Sequence, residues 1–263
     1  MSRYIDIAVN LLGSSLESHA EQVIVDAAAA GVSPLILIGS ELDESARCIS
    51  LCQQYPQQLY CTAGVHPHHA SSWQLNSVER QRELCAANAV VAVGECGLDF
   101  NRNYSTPVEQ RQAFAAQLAL AVELQLPVLM HERDAHQEFL AMVQEYRPQL
   151  KGALLHCFTG DIAQAEAYLA LDLHLGVTGW VCDERRGQAL AEAVTIIPNN
   201  RLLLETDSPY LLPRTLRPKP KSSKNLPQYL PHIADYVAQL RQQPAEELAN
   251  QCYNNSLRFF GLD

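Results

Sequence analysis

The sequence predicts an α/β fold of the (β/α)8 TIM-barrel class. Eight short apolar runs rich in β-branched residues recur along the chain, separated by helix-like stretches. The runs are nearly continuous in apolar residues, as in the strands of a parallel sheet covered by helices. The first run, in IDIAVNLLGSS, lacks the GxGxxG turn that an open doubly wound sheet more often carries. Eight such units in a chain of 263 residues fit a closed barrel better.

Taken in order, YIDIAVN (4–10) ends in Asn10, and PLILIGS (34–40) forms the second run. LYCTAGVHPH (59–68) is third and sets His66 and His68 beyond its apolar stretch. VVAVGECG (90–97) puts Glu95 directly after a glycine at the edge of a buried run. A carboxylate there is costly unless something positive meets it. PVLMHERD (127–134) carries His131 and Arg133, GALLHCFTG (152–160) carries His156, and LHLGVTGW (173–180) ends in Trp180. RLLLETDSP (201–209) closes the series at Asp207. The clearest helix lies in STPVEQRQAFAAQLALAVELQLP (105–127). Thr106 and Glu109 form a capping box there, Pro107 takes the first helical position, and Phe114, Leu118 and Val122 make one face apolar. A last helical region over 228–260 is expected to cover the barrel.

In a barrel the active site is built at the C-terminal ends of the strands. Each polar residue found there has an ordinary reading when taken alone. A strand-end histidine is usually a hydrogen-bonded, half-buried side chain. Asp207 in TDSP can initiate a turn, and Glu95 can pair with Arg133. Together, however, Glu95, His131, His156 and Asp207 are a mixed nitrogen and oxygen set suited to a divalent cation such as Zn²⁺, Mn²⁺, Fe²⁺ or Mg²⁺. Cys96 and Cys157 adjoin two of these residues, and side-chain alternation turns them toward the packing side. Trp180 and Tyr210 can stack on a base or pack the rim.

Composition fits a globular enzyme of one domain over residues 1–263, with 48% hydrophobic and 18% charged residues. No apolar run approaches the ~18–20 residues of a membrane span. The opening stretch MSRYIDIAVNLLG does not read as a signal peptide. The eight cysteines (48, 52, 61, 85, 96, 157, 182 and 252) include no CxxC pair and read as reduced core residues of a cytoplasmic protein. A net charge of −10 argues against coating nucleic acid by bulk electrostatics. One stretch runs the other way: RTLRPKPKSSKN (214–225) holds Arg214, Arg217, Lys219, Lys221 and Lys224 and no acid.

The blocks GVHPH (64–68), GECGLDF (94–100), QRQAFAAQLALA (110–121), PVLMHERDA (127–135), LLHCFTG (154–160) and LLETDSPYLLP (203–213) resemble, in this order, the TatD-type metal-dependent hydrolases, or TatD deoxyribonucleases. The resemblance spans nearly the whole chain and points to the branch that gave the family its name. It implies the metal-dependent hydrolase form of the TIM barrel, with metal ligands at Glu95, His131, His156 and Asp207. Glu95 and Asp207 are also the expected catalytic residues. His66, Arg133, Lys219 and Lys221 are expected to bind substrate. Two positions depart from the family pattern. The usual His-x-His of the first strand is here Ala8 and Asn10, and Leu226 replaces an acid in KNLPQYL (224–230).

The implied reaction is 3′→5′ exonucleolytic hydrolysis of single-stranded DNA, and of RNA, in DNA repair or degradation. The working activator is Mg²⁺, with Zn²⁺ or Mn²⁺ the occupants that two imidazoles would favour in purified protein. The expected partner is the nucleic acid, with no membrane and no second subunit. Two other hydrolases remain open: one acting on an ester such as aminoacyl-tRNA, and a small-molecule amidase or lactonase. The second of these often uses a carboxylated lysine at a strand end, where this sequence has none.

Overall fold

The computed structural model describes residues 3–262, so the first two residues of the N-terminal stretch lie outside it. Eight strands form one sheet in sequential order. They are β1 (Tyr4–Val9), β2 (Val32–Leu37), β3 (Leu59–Ala63), β4 (Val90–Asp99), β5 (Val128–Arg133), β6 (Ala153–Leu155), β7 (His174–Val177) and β8 (Leu202–Leu204). The pairs β1–β2, β3–β4, β4–β5, β5–β6 and β7–β8 are parallel. A further parallel bridge joins Val9 to Ser208, beyond β8. Sequential parallel strands with helices between them make the (β/α)8 barrel that the sequence predicts.

The helices are α1 (Ala20–Ala29), α2 (Leu42–Cys52), α3 (Ser77–Cys85), α4 (Pro107–Leu124), α5 (His136–Tyr146), α6 (Ile162–Ala170), α7 (Gln188–Ala193), α8 (Leu230–Leu240) and α9 (Ala245–Phe260). The region expected as one stretch over 228–260 is two helices. Gln242 has φ +51° and Pro244 caps α9, so backbone conformation and the missing proline N–H end one helix before the next begins.

Backbone contacts divide the chain into two compact units. One comprises the residues up to Leu37, Cys157–Leu169 and those from His174 onward; the other comprises Ile38–His156 and Ala170–Leu173. The second unit holds β3 to β6. Its helix α4 starts with the expected capping box of Thr106 and Glu109. Phe114 on α4 stacks on Phe139 of α5 at 5.5 Å between ring centroids. Two buried glutamines seven residues apart on α4 hold the backbone ahead of the site. Gln117 accepts from Val65 N–H (2.8 Å) and donates to its carbonyl (2.9 Å). Gln110 does the same for Asp99, at 2.8 and 3.0 Å. These paired bonds fix where the chain leaves β3 and where β4 ends.

In the first unit, the fully buried Asp6 of β1 accepts from Thr206 N–H (2.9 Å) and from the Thr206 hydroxyl (2.5 Å). Asn225, also buried, donates to Thr206 O (2.9 Å). The segment from Thr206 to Ser208, which carries Asp207, is therefore anchored both by β1 and by the KNLPQYL segment.

Candidate active site

Glu95 lies in β4 and is 5% exposed. Gly94 before it has φ +132°, and a Cβ at that position would collide with the carbonyl oxygen of Leu129. Three imidazoles converge on a single carboxylate oxygen of Glu95, Oε1. His156 Nε2 lies at 2.6 Å, His131 Nδ1 at 3.1 Å and His66 Nε2 at 3.4 Å. Burial works against charge on Glu95, but the His156 and His66 rings and hydrogen bonds from His131 and His156 hold it well below the usual carboxylate range. Burial also opposes charge on His131, yet the Asp99 and Glu95 carboxylates outweigh it and lift the ring to about 8. His66 goes the other way, pushed down to about 4 by burial despite Glu95.

These residues fit a divalent cation. One ligand atom from each of His66, Glu95 and His131 lies within 4.8 Å of the other two. An ion ~2.0–2.2 Å from each donor holds its ligand atoms at most about 4.4 Å apart, and Glu95 Oε1 lies 3.1 Å from His131 Nδ1 and 3.4 Å from His66 Nε2. His131 Nε2 is buried and makes no hydrogen bond among the described residues, its distance to Asp99 Oδ2 being 3.5 Å. His66 is the odd member of the group. Its Nδ1 accepts from the backbone N–H of His68 (3.0 Å), so in this geometry Nε2 carries the hydrogen and acts as a donor. A donor nitrogen suits a substrate oxygen better than a metal.

The other expected site residues are placed as follows. Arg133 ends β5, is exposed and does not meet Glu95, whose partners are the imidazoles. Asp207 belongs to the other unit, at φ +52°, where Asn10 Nδ2 donates to its Oδ1 at 2.8 Å. Asn10 thus orients Asp207. Lys219 and Lys221 are exposed in the 214–225 loop. In the same loop Arg214 pairs with Glu184 (2.9 Å), and Lys224 donates to Ser15 O (3.0 Å). Trp180 carries the Arg186 guanidinium 4.4 Å from its ring centroid, whereas Tyr210 is 56% exposed.

Sequence reasoning passed over Asp99 as a site residue. β4 runs on to this residue, and Asp99 is 1% exposed, with Oδ2 2.7 Å from His68 Nε2. Period-two alternation from Glu95 through Gly97 to Asp99 was the available signal, since it puts both carboxylates on one face.

The TatD related DNase family profile matches residues 5–261. A protein of Erwinia tasmaniensis named 3′-5′ ssDNA/RNA exonuclease TatD is 50% identical over 257 residues, covering 98% of this chain and 99% of the relative. A protein of the same name from Pectobacterium parmentieri is also 50% identical, with coverage of 98% and 99%. Among solved structures, YJJV, a TatD homolog from Escherichia coli K12, superposes with a TM-score of 0.90 at 28% identity, covering 100% of this chain and 99% of that one. A hydrolase TatD family protein from Entamoeba histolytica shares the fold, with a TM-score of 0.87 at 24% identity and 98% coverage of both chains.

Proposed function

This chain belongs to the TatD related DNase family, and on that premise we propose that it is a metal-dependent 3′→5′ exonuclease of single-stranded DNA and RNA. The observation that carries the reading is the convergence of three imidazoles on Glu95 Oε1 at 2.6, 3.1 and 3.4 Å. Full-length relatives named for that activity support the choice of substrate.

Glu95, His131 and His156 would hold the ion, with Asp207 as the remaining ligand. When bound, the ion supplies Lewis acidity toward a phosphoryl oxygen and a water of lowered pKa. Asp207 accepts the proton of the attacking water, with its carboxylate held in orientation by Asn10. His66 offers its Nε2–H to a phosphate oxygen. Arg133, Lys219 and Lys221 provide positive charge along the strand. Mg²⁺ is the working activator, and Zn²⁺ or Mn²⁺ suits the two imidazoles in purified protein. The enzyme works as a single-domain monomer in the cytoplasm, in DNA repair or degradation. No helix among the described residues is long and apolar enough to cross a membrane.

A time course on oligonucleotides labelled at either end, with Mg²⁺, Mn²⁺, Zn²⁺ or chelator, tests this. Stepwise shortening of the 5′-labelled strand, abolished by chelator, is expected. Shortening from the 5′ end, or digestion indifferent to chelator, would overturn the proposal.

A further inference from the structure

The His68–Asp99 pair takes no part in the steps above, yet it is built like a catalytic accessory. Asp99 Oδ1 accepts from the backbone N–H groups of Arg102 (2.8 Å) and Asn101 (3.0 Å), and Oδ2 faces His68 Nε2 at 2.7 Å. The Asp99 backbone is clamped by Gln110. With Oδ1 held by these two amides, the Asp99 carboxylate presents Oδ2 to His68 as an acceptor. The His68 tautomer that this contact selects carries its hydrogen on Nε2 and leaves Nδ1 as an acceptor.

The His68 side chain is 27% exposed. Its ring packs edge-on against His66 (4.3 Å) and against the exposed Tyr104 (4.9 Å). His66 in turn faces Glu95 at 3.4 Å. The His68 ring thus lies beside the candidate metal centre, with its Nε2 held by Asp99. A phosphate offers an accepting Nδ1 only lone pairs and negative charge, whereas a hydroxyl offers the hydrogen it lacks.

We propose that His68 is a specificity-determining residue that accepts a hydrogen bond from the sugar hydroxyl at the 3′ end of the strand, with Asp99 as the positioning residue that keeps Nδ1 an acceptor. The inference rests on the exonuclease reading and adds the chemistry of end recognition. It also makes a sharp statement about Asp99→Asn. Oδ1 stays with the two loop amides, so the new NH₂ faces His68 Nε2, drives the ring hydrogen onto Nδ1 and turns the acceptor into a donor.

The test compares three single-stranded oligodeoxynucleotides ending in 3′-hydroxyl, 3′-deoxy or 3′-phosphate, at pH 8 with Mg²⁺. It reads kcat/KM for removal of the first nucleotide. Wild type should prefer hydroxyl over deoxy by about tenfold, the worth of one net hydrogen bond, and should handle the phosphate end worst. His68→Phe should bring the hydroxyl-to-deoxy ratio near one, and His68→Gln, which keeps an acceptor, should restore part of it. Asp99→Asn should make the phosphate end better than the deoxy end, and ¹⁵N spectra should show the His68 hydrogen moved to Nδ1. A purely structural role would lower all three substrates together. An unchanged ratio in His68→Phe, or a wild type that ignores the hydroxyl, overturns the proposal. If wild type digests none of the three with any divalent cation, the exonuclease reading itself fails. Fluorescence anisotropy of the same oligonucleotides under chelator then decides the end-recognition claim: equal affinities for hydroxyl and deoxy ends reject it.

Discussion

His156 Nε2 lies 2.6 Å from Glu95 Oε1, although the two residues sit on different strands and are 61 positions apart in sequence. This contact joins β4 to the residue just beyond β6, so it forms only when the intervening strand is in register. β5 supplies that register, with Gly97 opposite His131 and Met130 opposite Leu155. The fold thereby resolves the cost of a buried carboxylate by surrounding it with imidazoles.

Gly97 is the tightest point of this arrangement. Its φ is +144°, and an added Cβ would collide with the carbonyl oxygen of His131. Gly97→Ala is expected to destabilise the protein by about 2 kcal/mol or more, combining strain with a displaced strand. A urea midpoint equal to wild type would show that the β4–β5 approach is not constrained as described.

Asn10 should matter through Asp207. Removing its 2.8 Å bond in Asn10→Ala frees the carboxylate to rotate, and a fall in kcat of about tenfold is expected, the worth of one hydrogen bond. Asn10→Asp puts a like charge against Asp207 and should cost more than Asn10→Ala. If aspartate at position 10 supports faster turnover than alanine, Asn10 does not act by orienting Asp207.

Much of this was legible in the sequence. The eight apolar runs mark all eight strands, and Glu95, His131 and His156 stand out because each interrupts an apolar stretch at its end. The capping box at Thr106 is local chemistry and reads directly. Asp99 follows Glu95 at strand period, but its pairing with His68 spans 31 positions, and no periodicity announces that partner. The orienting role of Asn10 depends on a contact spanning 197 positions. The break before Pro244 is readable from the proline itself, which stands at the N-cap of α9.

Asp6 should leave a pH signature on stability. Burial raises its carboxyl to about 8, with the Thr206 hydrogen bonds pulling the other way. The unfolded aspartate titrates near about 4. Between these values the folded state binds more protons than the unfolded state, so Asp6 makes stability fall as pH rises, by at most about 1.4 kcal/mol per pH unit. Below the unfolded value, and above the folded one, the slope vanishes. Asp6→Asn mimics the protonated group, so urea midpoints should show the variant gaining on wild type from pH 5 to 8. Parallel curves would mean that Asp6 is ionised in the fold.

The basic loop has fewer available charges than its composition suggests. Arg214 is paired with Glu184 and Lys224 is bound to Ser15 O, whereas Lys219 and Lys221 make neither kind of contact with the described residues. Neutralising Lys219 and Lys221 should reduce the logarithmic salt slope of oligonucleotide binding by about 1.4, at ~0.7 per phosphate contact on a single strand. An unchanged slope would remove this loop from the binding path.

Manganese binding, followed by electron paramagnetic resonance in wild type and in Glu95→Gln, tests the central claim most directly. The amide keeps the shape of the side chain but discards the charge on which His156, His131 and His66 converge. Wild type should take up the ion saturably, and the variant should bind it at least a hundredfold more weakly while losing nuclease activity to the order of a thousandfold, about 4 kcal/mol of barrier. If Glu95→Gln binds manganese as tightly as wild type and still cleaves, the buried carboxylate is not the anchor of the metal centre.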